Sequence, residues 1–237
     1  MSKYKAILFD MDGTLLPMDM QEFTSGYFKL LYKDLEEYGI PFDVLVKAIW
    51  DGTHTMAKND GSRLNREVFW KRFEELIPNV PVKEIGEKCD AFYSNRFKEA
   101  IKFTSPNPLA KKAVEIAHEK APIVALATNP LFPRNGQITR MGWLGLTTDD
   151  FDIVTSYETD YYCKPNPNYF VSVCERLGVK PEECLMIGND EKEDMYACTL
   201  AHVDGYLVTD TMISSDEYPW KGPRGTFKEL ITMLEEL

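Results

Sequence analysis

The chain of 237 residues carries 38 acidic against 27 basic side chains, a formal net charge of −11, with 44% hydrophobic and 27% charged residues. This composition suits a soluble globular protein of one domain, or of one domain with a large insertion. The negative charge argues against nucleic acid or an anionic membrane as partner, while leaving room for a small phosphorylated molecule in a locally positive pocket.

Lys3 and Lys5 lead directly into a short apolar run, with no leader-like segment between them. The longest clearly apolar stretch, Ala121–Ala127, is too short to cross a bilayer. Five cysteines without paired spacing read as reduced thiols in a cytoplasmic protein, and three scattered histidines offer no zinc site.

In chain order, Ala6-Ile7-Leu8-Phe9 is apolar without alternation and stops at Asp10, which predicts a strand buried on both faces, as in a parallel sheet. Gly13 allows a sharp turn after it. From residue 17 to 105 the pattern is helical. Phe23, Tyr27, Leu30, Leu31, Leu35 and Tyr38 share one face of a helix closed by Gly39. Phe42, Leu45, Val46 and Ile49 start a second helix, and Phe69, Phe73, Leu76 and Ile77 mark a third. Ile85, Cys89, Phe92, Tyr93 and Phe97 mark a fourth.

Beyond Pro106 helices and strands alternate. A helix through Leu109–Ala117 precedes a strand at Ile123–Ala127, and a further strand is expected at Phe151–Thr155. A helix through Tyr169–Leu177 precedes the strand Cys184–Ile187. Then come a helix to about Leu200, a strand at Gly205–Val208 and a last helix over 226–236. Such alternation implies right-handed crossovers and a parallel sheet. The gap between the first strand and the second, near Pro122, is far too long for a loop and must hold its own structure.

Four places carry chemistry. Asp10 lies where open α/β sheets place their ligands, and Asp12 projects the same way if the backbone stays extended. Two carboxylates at a buried rim repel one another, and hard oxygen ligands of this kind favour Mg2+. Thr128-Asn129 closes the next strand, where a hydroxyl and turn amides can hold an anionic oxygen, although both residues also make good helix caps. Lys164 sits in Lys-Pro-Asn-Pro just before a helix, where its charge can neutralise phosphate, the alternative being a solvated surface lysine. Asp190 follows the apolar strand ending at Gly188, with Asp194 four residues on and facing the same way on a helix. Glu191 and Glu193 read as solvated acids at a helix start.

These motifs, Asp10-Met11-Asp12-Gly13-Thr14, Thr128, Lys164-Pro165 and Gly188-Asn189-Asp190, resemble in order those of the haloacid dehalogenase-like hydrolase superfamily. The resemblance implies an α/β fold, a Rossmann-like parallel-sheet core of residues 1–16 and 106–237 with an all-helical cap over 17–105. It implies a Mg2+-dependent phosphatase acting on a small phosphorylated metabolite. Asp10 would be the nucleophile forming an aspartyl-phosphate, and Asp12 the general acid and base. Thr128 and Lys164 would hold the phosphoryl oxygens. Asp10, the Asp12 carbonyl and Asp190 would hold the metal, with Asp194 as a further ligand or a partner through water. Asn129 would support the phosphoryl group or the leaving oxygen. The second acid, Asp12, argues against dehalogenation.

A sugar-phosphate mutase using the same residues, or a noncatalytic ligand-binding member, are the alternatives. In the cap, Lys58 and Arg63 flank a Gly-containing break and could reach the substrate, with a plain solvent-exposed turn as the equal alternative. Trp50, Trp70, Phe69 and Phe73 read as cap core, His54 as a surface residue, and Arg134 as a weak candidate for the pocket.

Overall fold

The computed structural model describes residues 3–237. The first strand, β1 (Ala6–Phe9), is followed by four helices, α1 (Met20–Leu35), α2 (Phe42–Ala57), α3 (Asn65–Leu76) and α4 (Val82–Ser94), and a 3-10 stretch at Arg96–Phe103. Next come α5 (Ala110–Lys120), β2 (Ile123–Leu126), α6 (Arg134–Trp143), β3 (Ile153–Val154), α7 (Asn168–Leu177) and β4 (Cys184–Gly188). The chain ends with α8 (Ala197–Leu200), β5 (Asp204–Val208), β6 (Arg224–Gly225) and α9 (Phe227–Glu236).

Among the described residues the strands form one parallel sheet, ordered β3-β2-β1-β4-β5-β6. The lack of alternation in β1 has its physical cause in two cores. Ile7 and Phe9 face a layer with Val114 of α5 and Leu230 and Leu234 of α9, while Ala6 and Leu8 face Phe170 and Val173 of α7 and Cys198 of α8. Each large apolar side chain buried this way contributes about 1.5–3 kcal/mol. From β1 the chain moves to one side for β2 and β3, then crosses to the other for β4, β5 and β6. The crevice above β1 is therefore a topological switch point, where ligands of such sheets bind. Phe9 pairs with Leu126 on one side and Ile187 on the other, so the three central strands end at one level.

The helices between β1 and β2 have a core of their own, built on Phe23, Tyr27, Leu31, Phe73, Phe92 and Phe97, and Phe132 and Trp143 from the sheet side pack against it. The two chain crossings that join this unit to the sheet touch, Ser105 N donating to Pro17 O at 2.9 Å. Asp19 caps α1 by accepting from Glu22 N at 2.8 Å.

Three details differ from the sequence pattern. The fourth helix stops at Asn95, whose side-chain amide donates to Ala91 O at 2.9 Å, and Phe97 lies in tighter 3-10 turns. A local amide competing for a helical carbonyl is a recurrent helix interruption. Trp50 is 41% exposed instead of buried, with its ring against Phe28 and His54. Two-residue β6 is too short to leave a periodic signal.

Candidate active site

The ends of β1, β2 and β4 bring Asp10, Thr128 and Asp190 to one cleft of about 250 Å³, whose walls also include Asp12, Asn129, Phe132, Asn189, Glu193 and Asp194. Asp10 continues the β1 ladder, its N–H donating to Ile187 O at 2.9 Å, so its carboxylate is carried by the sheet itself. Lys164 is 1% exposed and comes from the loop before α7. Its ammonium donates to Asp10 Oδ1 at 2.9 Å and Asp194 Oδ1 at 2.7 Å. Thr128 is 1% exposed, and its carbonyl is fixed by Tyr169 Oη at 2.8 Å and Thr155 Oγ1 at 2.7 Å.

The electrostatics follow from burial and crowding. Burial pushes the Asp10 carboxyl up to about 8. Lys164 opposes this, while Asp194 and Asp12 add to it. Burial would lower Lys164, but Asp10 and Asp194 outweigh it and hold the ammonium well above its ordinary value. Burial also raises Glu193 to about 7, assisted by Asp190 and opposed by the amide of Asn129.

Several expectations need correction. Asp194 does not stand free beside Asp190. Its Oδ2 accepts from the N–H groups of Asn189 (3.0 Å) and Asp190 (3.1 Å), and its Oδ1 is taken by Lys164. The turn after β4 opens as a π-helix, Glu191–Tyr196, capped by Asp190 Oδ1, and both acids line the cleft. Gly188 makes the approach possible, since a Cβ there would lie 2.2 Å from Asp194 Oδ2.

Glu191 and Glu193 are not solvated acids. Glu191 is buried and accepts from Ser215 N (2.8 Å) and Trp220 N (2.9 Å), clamping the loop after β5. Glu193 lines the cleft and accepts from Asn129 Nδ2 at 2.8 Å. Asn129 also accepts from Lys164 N at 3.2 Å, so it braces the lysine loop.

Lys58 and Arg63 are exposed and line no part of the cleft. Asn59 closes their loop by donating to Arg63 O and Asn65 Oδ1, both at 2.8 Å. Asn65, fully buried, docks the loop on the sheet side, its N–H on Asp160 O at 2.9 Å and its Nδ2 3.3 Å from Cys163 Sγ. Arg134 is also exposed; its N–H rests on the Glu158 carboxylate.

Three residues of the site go unread in the sequence. The Thr14 hydroxyl lies 3.3 Å from Asp10 Oδ2 and 3.1 Å from Asn189 Oδ1. Asn189 bridges that hydroxyl and Thr211 O, the latter at 2.7 Å. Arg140 on α6 is fully buried and its guanidinium pairs with Asp12 Oδ2. In the fold Arg140 lies with Gly136, Gln137 and Met141 on the buried stripe of α6, where an unpaired charge is costly. Asp12 therefore does not share a partner with Asp10. The crowded acids are balanced by two buried cations, Lys164 for Asp10 and Arg140 for Asp12.

The donor set was weighed against a divalent ion. Among the described residues no three carboxylate, histidine or cysteine side chains gather closely enough to hold one alone. Asp10 and Asp190, on adjacent strand ends, supply two carboxylates; one oxygen of Asp190 caps the π-turn. Mg2+ is commonly held by one or two carboxylates, with water and substrate phosphate completing the shell. The residues fit that type of site.

Comparison with known proteins shows the family. The chain is 26% identical over 202 residues to the phosphorylated carbohydrates phosphatase of Thermotoga maritima, covering 84% of this chain and 82% of that one. It is 25% identical over 198 residues to the phosphoglycolate phosphatase of Aquifex aeolicus, covering 80% and 78%. The magnesium-bound HAD-hydrolase YfnB of Bacillus subtilis has the same fold, with a TM-score of 0.60 at 21% identity over 98% of both chains. The family model of the haloacid dehalogenase-like hydrolases matches residues 4–202. The chain belongs to the haloacid dehalogenase-like hydrolase family.

Proposed function

We propose that this hydrolase is a Mg2+-dependent phosphatase of a small phosphorylated metabolite, working through an aspartyl-phosphate on Asp10. The observation that supports the reading is the meeting of Asp10, Thr128 and Asp190 at one cleft, with Asp12 in its wall and the Lys164 ammonium bonded to Asp10. Asp10 attacks phosphorus in line with the ester bond. The bond to the leaving oxygen breaks, and that oxygen takes a proton from Asp12. Asp12, now ionised, takes a proton from water, whose oxygen attacks the phosphoryl group and frees Asp10. Thr128 and Lys164 hold the equatorial oxygens, and Lys164 offsets the charge that collects there. Asp194 and Asn129 keep Lys164 in place. Asp10, the Asp12 carbonyl and Asp190 would hold the ion, which when bound neutralises phosphate charge and lets the acids lie close together.

The helices of residues 17–105 act in this reading as a cap over the cleft. Relatives named for phosphorylated carbohydrates and phosphoglycolate support a small substrate, and a helical cover disfavours a macromolecular one. The test is phosphate release from a panel of phosphorylated metabolites with magnesium and with chelator. Asp10→Asn is expected to abolish release, and Asp12→Ala to slow it by roughly 10²–10⁴-fold. Full turnover by Asp10→Asn would refute the nucleophile.

A further inference from the structure

We propose that Arg140 is a positioning residue for this reaction. It pins Asp12 by one carboxylate oxygen and leaves the other, Oδ1, without a partner and so free to serve the leaving group. The inference rests on the reading of Asp12 as proton donor and goes beyond it by naming what aims the donor.

The guanidinium is itself immobile. Arg140 is fully buried on α6. Its Nη2 donates to Gln137 Oε1, its Nε lies 3.4 Å from Gly136 O, and the Phe132 ring lies against the guanidinium at 4.0 Å from carbon to centroid. Gln137 is held in turn, its Nε2 donating to Thr155 O at 3.3 Å at the end of β3. The remaining donor, Nη1, goes to Asp12 Oδ2. Asp12 sits on the loop after β1, its backbone bridged to Leu16, and the Arg140 contact orients its carboxyl.

The pairing is incomplete in an informative way. An arginine and a carboxylate joined only for stability tend to meet in a two-pronged fork that satisfies both oxygens. Here Asp12 Oδ1 is shut from solvent and has no hydrogen-bond partner. Unsatisfied buried polar atoms are rare and call for a reason. Both Asp12 and Phe132, the platform under the guanidinium, are walls of the cleft. Asp12 is thus a wall residue with one carboxylate oxygen taken and one without a partner, and the fixed cation on Oδ2 decides where Oδ1 stands.

In the first chemical step Asp10 forms its bond to phosphorus, the ester bond breaks, and the proton on Asp12 passes to the departing oxygen. A leaving group that is stable as an anion, such as 4-nitrophenolate, needs no such proton; an alkoxide does. The test is kcat/KM, which reports only steps up to aspartyl-phosphate formation, for 4-nitrophenyl phosphate and for glycerol 2-phosphate. In Arg140→Gln the ratio of the alkyl to the aryl value is expected to fall by ~30–300-fold, part of what a general acid supplies, with Arg140→Lys recovering some of it. In an Asp12→Asn background the same change is expected to leave the ratio where Asp12→Asn alone put it.

Equal losses on both esters would mean a structural role only and overturn the proposal. If Arg140→Gln does not fold, Gln137→Met, which unhooks Nη2 and keeps the charge, is expected to lower the same ratio, and an unchanged ratio there overturns it too. A wild-type protein that hydrolyses neither ester would remove the phosphatase reading and this proposal with it.

Discussion

Replacing Lys164 by Met separates the lysine's structural work from its chemical work. The ammonium is 1% exposed and lies 2.9 Å from Asp10 and 2.7 Å from Asp194, which are themselves buried. Removing one partner from a buried ion pair costs about 3–5 kcal/mol, because a charge is left without compensation. Here the lower end applies, since Asp10 is already biased by burial toward holding a proton and can neutralise itself. About 3 kcal/mol lowers Tm by roughly 6–12 °C in a chain of this size. Asp194→Asn alone strands the lysine against one carboxylate instead of two. The double variant should be less destabilised than the sum of the singles by about 1–3 kcal/mol, the coupling expected of groups in direct contact. Urea unfolding of the four proteins, wild type, two singles and the double, gives the coupling directly. Phosphate release by Lys164→Met should fall by roughly 10²–10³-fold, as for loss of one preorganised charge-stabilising group. A Lys164→Met protein as stable as wild type, or strictly additive effects, would refute the account of how this cleft is held together.

Burial raises both Asp10 (to about 8) and Glu193 (to about 7), so between about pH 4 and those values the folded chain keeps protons that the unfolded chain has released. Stability of the chelator-treated protein should therefore decline as pH rises from 5 to 8, and magnesium, which would bind the ionised carboxylate, should raise Tm more at pH 8 than at pH 5. Melting curves at the two pH values, with and without the ion, check both signs, and a larger magnesium shift at pH 5 would contradict the argument. In Gly188→Ala the new methyl would meet Asp194 Oδ2 at 2.2 Å. Overpacking of this kind costs about 1–3 kcal/mol, and displacement of Asp194 from Lys164 should lower kcat more than it changes KM in steady-state assays.

The strand-end residues were readable because a short unbroken apolar run followed by a turn residue fixes both the buried strand and the place where it stops. Asp10, Thr128 and Asp190 each follow such a run, and the long interval before Pro122 announced the helical unit. What stayed hidden depends on contacts between distant segments. Arg140 looks like any helix cation until α6 is laid against the loop carrying Asp12. Thr14 and Asn189 are ordinary turn residues in the sequence and acquire a role only because β1 and β4 are neighbours. Asp194 lies in the cleft wall, but its bond to Lys164 is not legible from the spacing, because the chain there turns as a π-helix. For Lys58 and Arg63 the structure fits the solvent-exposed turn, whose course is set by the asparagine amides of Asn59 and Asn65.

That same loop joins the helical unit to the chemistry. Asn65 reaches Cys163, whose next residue in the chain is Lys164; the unit is also held at the Pro17 to Ser105 crossing, by Arg66 N donating to Tyr157 O, and by Thr139 Oγ1 donating to Tyr93 O. A swing that lifts the helices off the sheet has to part Asn65 from Tyr162 and Cys163, and so slackens the segment that carries the ammonium. Were the helices to lift for substrate to enter, that entry and the seating of Lys164 would be tied to one motion.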